Sequence, residues 1–273
     1  RFMGIHFFNP PRYLRLVEVI PTPDTDGQRV QAVVEWLRRT LGKVPVVARD
    51  TPNFIGNRIG IYALQVALQA MQQFGLSVEA VDLVTGPVMG RPKSATFRTL
   101  DLVGLDTYLH VLHTGASRTD DPEERALLTP PPVIEAMAKR GLLGEKSGAG
   151  FYRRTSRPDG SGSTIEVLDW ETMEYRPRRE ARFESVDRAM AAPPGRRLEV
   201  LLEGTDQAAA FARAVMERVL AFCAAKGPEI AYSVADVDRA MRYGFSWEQG
   251  PFEIWDQLGV RRLAERMEQD GIR

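Results

Sequence analysis

The chain has 273 residues, 44% of them hydrophobic, with 36 Lys and Arg against 36 Asp and Glu. That length can bury one large core or two ordinary ones, and the zero formal charge excludes the global basic field that would point to nucleic acid or a membrane surface. The single Cys223 excludes an internal disulfide and fits a reducing, cytoplasmic setting, and no apolar run approaches the ~20 residues of a transmembrane helix.

Residues 1–8 read as the end of a strand followed by the loop that holds His6, and Pro10-Pro11 stop further pairing. Leu16 to Ile20 predicts a second strand with Glu18 at its centre. A charge inside an apolar strand is costly without a partner, and His6 is the nearest candidate. A carboxylate bonded to one ring nitrogen would leave the other free as a base. Val30, Val33, Val34, Leu37 and Leu41 recur at helical spacing behind Asp24 and Thr25, which can cap, with Gly42 as the closing residue. Val44 to Ala48 predicts a third strand, so the opening segment reads as the last part of an α/β sheet. Gly148-Ala149-Gly150 leads into Phe151-Tyr152 and not into a helix, which rules it out as a phosphate loop.

Long helices follow from Asn53. Ile61, Leu64, Leu68 and Met71 form one apolar stripe, and Gly60, Ala63 and Ala67 allow close helix packing. Ser77 predicts the cap of a helix from Val78 to Thr85, with Glu79 in its first turn. Shorter helices are expected at Phe97 to Val103, Leu105 to Leu112 and Val133 to Lys139. By composition 154–164 is a turn or linker, and Ile165 to Leu168 with Met173 to Tyr175 suggest a small hairpin. Ser77-Val78-x-x-Val81-Asp82 recurs as Ser233-Val234-x-x-Val237-Asp238, and Phe97-x-x-x-Asp101-x-x-Gly104 recurs as Phe252-x-x-x-Asp256-x-x-Gly259. An internal duplication of a helical unit is therefore expected. Phe211, Val215, Val219 and Phe222 mark the long helix of the second copy, and Cys223 reads as core.

Five stretches together resemble the 3-hydroxyacyl-CoA dehydrogenase family: Gly4-Ile-His-Phe-Phe-Asn-Pro10, Leu16-Val-Glu-Val-Ile20, Asp50-Thr-Pro-Asn-Phe-Ile-Gly-Asn-Arg58, Val103-Gly-Leu-Asp-Thr107 and Gly144-Glu-Lys-Ser-Gly-Ala-Gly-Phe-Tyr152. The resemblance implies a mostly α fold: a C-terminal remnant of a Rossmann-like α/β domain over 1–50, followed by a duplicated, all-helical dehydrogenase domain. Its first repeat would cover 51–153, and 154–273 would hold the linker, hairpin and second repeat. It further implies oxidation of (3S)-3-hydroxyacyl-CoA to 3-oxoacyl-CoA in fatty-acid β-oxidation, with NAD as cofactor. His6 would be the base, Glu18 the residue that orients it, and Asn57 a substrate-positioning group, with Asn9 a lesser candidate nearby. The family's nucleotide loop lies upstream of the His motif, so no cofactor-binding residue is assigned. Since the chain also opens without Met, a piece of a longer polypeptide, inactive alone, is expected. A homodimer, or an enoyl-CoA hydratase module on the same polypeptide, is compatible with the resemblance. The alternative is a non-catalytic acyl-CoA-binding or oligomerisation module. His110 and His113 lack a third ligand, so no metal is expected, and Arg176 to Arg182 could bind a CoA phosphate but read better as a solvated charged face.

Overall fold

The computed structural model describes residues 2–156 and 161–272. Its first elements are β1 (Met3–Phe7), β2 (Leu16–Pro21), α1 (Gly27–Leu41), β3 (Val44–Val47) and the long α2 (Gly56–Phe74). Helices α3 (Val78–Val84), α4 (Phe97–Val103), α5 (Leu105–Arg118), α6 (Pro122–Leu127) and α7 (Pro132–Lys139) follow. Strands β4 (Tyr152–Ser156), β5 (Ser163–Asp169) and β6 (Glu174–Pro177) come next. The chain ends in α8 (Glu184–Ala191), α9 (Arg197–Leu202), α10 (Gln207–Ile230), α11 (Val234–Gly244), α12 (Pro251–Leu258) and α13 (Val260–Gln269). None of the described helices is long and apolar enough to cross a membrane. Two compact units are formed, one by Arg1–Ala63 with Val215–Arg273 and the other by Leu64–Ala214.

In the first unit β1, β2 and β3 form one sheet in that order, β1 antiparallel and β3 parallel to β2. The parallel pair is bridged by α1, as a β-strand crossover requires. Val30, Val34 and Leu37 lie along one stripe of α1 and pack on Val17 and Val19, which gives this sheet its core. Asp26 caps α1 by accepting from the Gln28 amide, while Thr25, expected as a cap, instead accepts from the Thr22 amide. Gly42 closes the helix at φ 62°, a left-handed conformation that glycine adopts without strain. Tyr62 on α2 stacks on Phe222 of α10 with ring centroids 3.8 Å apart.

The second unit is organised by buried carboxylates. Asp82 on α3 accepts from the amides of Thr96, Phe97 and Arg98, which caps the start of α4, and from the Tyr152 hydroxyl. Asp101 on α4 accepts from the amides of Phe151 and Tyr152. The Gly144–Tyr152 stretch is therefore clamped where an apolar side chain could not serve. Glu79 receives both Nη1 and Nη2 of Arg176, at 2.6 and 2.9 Å, and ties β6 to α3.

These observations correct the expected fold class. The region after residue 50 is not all-helical, because β4, β5 and β6 form a three-stranded antiparallel sheet. The stretch 154–164 was expected as linker because it is polar and rich in Gly and Ser; its described flanks are paired strands, and residues 157–160 lie outside the described residues. β4 reads Tyr-Arg-Arg-Thr-Ser and β5 fully buries Val167 and Leu168 alone, so most of the stretch carries little hydrophobic signal to read. At 1–50 the supposed remnant forms a sheet and helix with their own core.

The recurring motif has recurring contacts. Ser77 and Ser233 each cap a helix, accepting from the amides of Ala80 and Asp236, and Asp238 accepts from the Phe252 amide as Asp82 does from that of Phe97. The two turns differ where their sequences differ: Gly250 has φ −76°, whereas Ala95 is held at φ 49°. A non-glycine residue in that region is strained, and the three amides accepted by Asp82 hold the turn in place.

Candidate active site

His6 and Glu18 stand directly opposite each other on β1 and β2. The imidazole Nδ1 lies 2.7 Å from Glu18 Oε2. Glu18 is fully buried, and its Oε1 accepts from the amides of Ile55 at 3.0 Å and Gly56 at 2.8 Å. Those amides open α2, so the carboxylate sits where the helix presents unpaired N–H groups and the positive end of its dipole. A carboxylate only accepts hydrogen bonds, which assigns the shared proton to Nδ1 and leaves a lone pair on Nε2. His6 is 30% exposed, so this nitrogen belongs to a side chain that solutes can reach.

Phe8 and Phe54 flank the imidazole, with ring centroids 4.7 and 5.7 Å away. Asn53 and Phe54 have φ 61° and 51°, two consecutive left-handed residues that turn the chain into α2 just before the amides that hold Glu18. Gly56 permits this approach: a Cβ there would lie 2.6 Å from Phe8 Cζ.

Asn57 follows Gly56 in the first turn of α2, one residue from a carboxylate-binding amide, and is half-buried. Asn9 lies in the exposed turn after β1. Of the four expected residues, His6 and Glu18 are in contact. Sequence reasoning missed the Ile55 and Gly56 amides, for which no side chain gives a signal, and the aromatic flanks of His6. It also missed Glu229, which accepts from Arg58 Nη1 at 2.8 Å. Burial opposes ionisation of Glu229, yet the bonds and charges of Arg58 and Lys226 hold its carboxyl below the ordinary range.

His110 and His113 both lie on α5, and no group of three His, Cys, Asp or Glu able to hold a metal occurs among the described residues. Between β2 and α1 the chain passes Asp24 and Asp26, the latter capping the helix, so that helix start offers no cradle for a phosphate. The chemistry this donor set offers is acid–base: an oriented imidazole with one free nitrogen, backed by a buried carboxylate.

Comparison with known proteins places this arrangement in context. Residues 1–51 match the family model of the 3-hydroxyacyl-CoA dehydrogenase NAD binding domain, and residues 54–154 match that of the C-terminal domain of the same family. A probable 3-hydroxyacyl-CoA dehydrogenase of Bacillus subtilis is 41% identical over 271 residues, covering 99% of this chain and 34% of that protein. A protein of the same description from Deinococcus radiodurans is 50% identical over 155 residues, covering 57% of this chain and 44% of the relative. The chain thus spans between a third and a half of the length of these relatives. Among solved structures, 3-hydroxybutyryl-CoA dehydrogenase of Escherichia coli shares the fold over 98% of this chain and 67% of its own, with a TM-score of 0.60 at 20% identity. The FadB2 structure of M. tuberculosis matches over 56% of this chain and 52% of its own, with a TM-score of 0.51 at 33% identity. The expectation of a mere remnant at 1–50 is overturned: the NAD-binding model matches 1–51, and the fold likeness runs through nearly the whole chain.

Proposed function

The chain belongs to the 3-hydroxyacyl-CoA dehydrogenase family, and from that premise we propose that it carries the acid–base centre for NAD-dependent oxidation of (3S)-3-hydroxyacyl-CoA to 3-oxoacyl-CoA, with His6 as the base. The observation that carries this reading is the contact of His6 Nδ1 with the buried Glu18, itself held by the Ile55 and Gly56 amides. Oxidising the 3-hydroxyl removes its proton while a hydride leaves the same carbon. NAD, when bound, supplies the hydride acceptor. His6 Nε2 takes the proton, and Glu18 stabilises the imidazolium that results, as a fixed carboxylate next to a growing positive charge must. In the reverse direction the same nitrogen returns the proton to the carbonyl oxygen. Phe8 and Phe54, tilted against the imidazole, restrict its rotation.

Asn57 is proposed for substrate positioning because it matches the Asn of the family's Asn-Arg motif; its half-buried place beside the Gly56 amide supports that reading. Asn9 has a lesser part in the same neighbourhood. Fatty-acid β-oxidation is the metabolic setting this reading implies.

His6→Ala in the natural full-length polypeptide tests the assignment. NADH formation from a 3-hydroxyacyl-CoA is expected to fall by about 10²–10⁴ in kcat, the contribution of a positioned general base, with an unchanged circular dichroism spectrum. An unchanged kcat would remove His6 from the mechanism.

A further inference from the structure

The second unit contains a cavity of about 770 Å³, a volume typical of small-molecule sites, and none of its lining residues belongs to the His6 centre. Its walls are aliphatic: Leu83, Val88, Ile165, Val186 and Met190. Val88 and Val186 are buried, whereas Ile165 and Met190 are 40% and 45% exposed, so apolar side chains face solvent at the opening as well as lining the interior. Tyr152, the one aromatic lining residue among the described residues, has its hydroxyl committed to Asp82, so the walls suit an alkyl chain better than a stacked base.

The polar part of the lining is mainly cationic, with Lys93, Arg98, Arg153, Arg154 and Arg178. Arg98 pairs with Glu145 and Arg153 with Glu166. Among the described residues Lys93, Arg154 and Arg178 form no ion pair, and all three are exposed. The lining carboxylates do not offset them. Glu79 is taken by the two-pronged contact with Arg176, and Asp82 has its oxygens occupied by three amides and the Tyr152 hydroxyl. Burial also pushes the Asp82 carboxyl up to about 7, against the pull of those donors, which reduces its negative charge near neutral pH.

We propose that this cavity is a second, non-catalytic site that binds an amphipathic carboxylate, its aliphatic chain among Leu83, Val88, Ile165, Val186 and Met190 and its anionic head held by Lys93, Arg154 and Arg178. Neither half of the lining alone selects such a ligand. The apolar walls would accept any alkyl chain, and exposed cations would hold any small anion only weakly. Together they favour a molecule with both properties.

Calorimetric titration of the full chain with decanoate, 1-decanol and acetate tests this. Decanoate is expected to bind saturably with one molecule per chain, and at least tenfold more tightly than either of the others. The combined variant Lys93→Gln/Arg154→Gln/Arg178→Gln should weaken decanoate at least tenfold while leaving 1-decanol unchanged, and Ile165→Asp should weaken both alkyl ligands. All four substituted residues are exposed, so the circular dichroism spectrum is expected to be unchanged. Equal affinity for decanoate and 1-decanol, decanoate binding insensitive to the triple variant, or no saturable binding of decanoate would each overturn the proposal.

Discussion

Glu18 has to satisfy three donors at once, and the identity of each donor decides what a substitution there does. In Glu18→Gln the side-chain oxygen can still accept the Ile55 and Gly56 amides, but the new NH₂ faces His6 Nδ1. Two donors cannot share that contact, so the imidazole is driven to the tautomer that carries its proton on Nε2 and loses its function as a base. The variant is expected to fold, to keep KM within a few-fold, and to lose about 10²–10⁴ in kcat. Glu18→Ala does something different: it strands two buried amides and should lower stability by about 1–3 kcal/mol in urea unfolding. A Glu18→Gln enzyme with its full kcat would sink the orienting role. The His6–Glu18 pairing was legible in the sequence because a carboxylate in an apolar strand demands a partner. The amides that complete its coordination were not, since a backbone donor looks the same beneath every residue. The left-handed pair Asn53 and Phe54 was equally hidden, for nothing in Phe54 announces φ 51°.

At the scale of elements, the site depends on how closely α2 approaches its neighbours. A Cβ on Gly60 would stand 2.0 Å from Phe245 Cζ, so the ring occupies the space that any other residue would fill. Phe245 in turn meets Phe8 edge-on, at 6.1 Å between centroids, and Phe8 supports the imidazole of His6. Gly60→Ala is therefore expected to cost about 1–3 kcal/mol as an overpacking change, partly offset by the better helix propensity of alanine. Urea midpoints of the two proteins would measure it, and a stabilised Gly60→Ala chain would show that Phe245 moves aside freely. The small residues of α2 were readable as a sign of close packing; the partner, separated by most of the chain, was not. Helices α1 to α5, α7 and α10 and the β2–α1–β3 order were legible from periodicity and caps, and α11 and α12 from the recurring motif, whereas α6, α8, α9 and α13 were missed. The β4–β5–β6 sheet was read only in part, because its strands are mostly polar and Val167 and Leu168 of β5 are their fully buried residues.

Over the whole molecule the formal charge is zero, so the response of stability to pH rests on a few buried carboxyls and not on net repulsion. Burial pushes Asp82 up to about 7 and Asp101 up to about 6, both from an ordinary value of 3.8. Between those limits the folded protein holds protons that the unfolded chain has released, so the stability these groups contribute is fully present below 3.8 and is lost as pH rises through the folded values. Asp238 is raised too, by burial, and acts in the same direction. Glu79 acts oppositely. Burial would raise it, but Arg176 and the Arg179 amide hold it at about 2, so its contribution is present above 4.5 and is lost as pH falls toward that value. Since Glu79, Asp82 and Asp101 all belong to Leu64–Ala214, that unit should resist urea best near about pH 4–5 and weaken steadily toward about pH 7.5. Hydrogen exchange at the Phe97, Arg98 and Tyr152 amides, all donors to these carboxyls, would report it locally. Asp82→Asn should flatten the slope, because the amide has no proton to release. It should also lower the stability of this unit at every pH, because its NH₂ would face the Arg98 amide in place of an acceptor. A midpoint that rises between about pH 5 and 7.5, or an Asp82→Asn chain with the parent's slope, would mean that the four donors around Asp82 outweigh its burial.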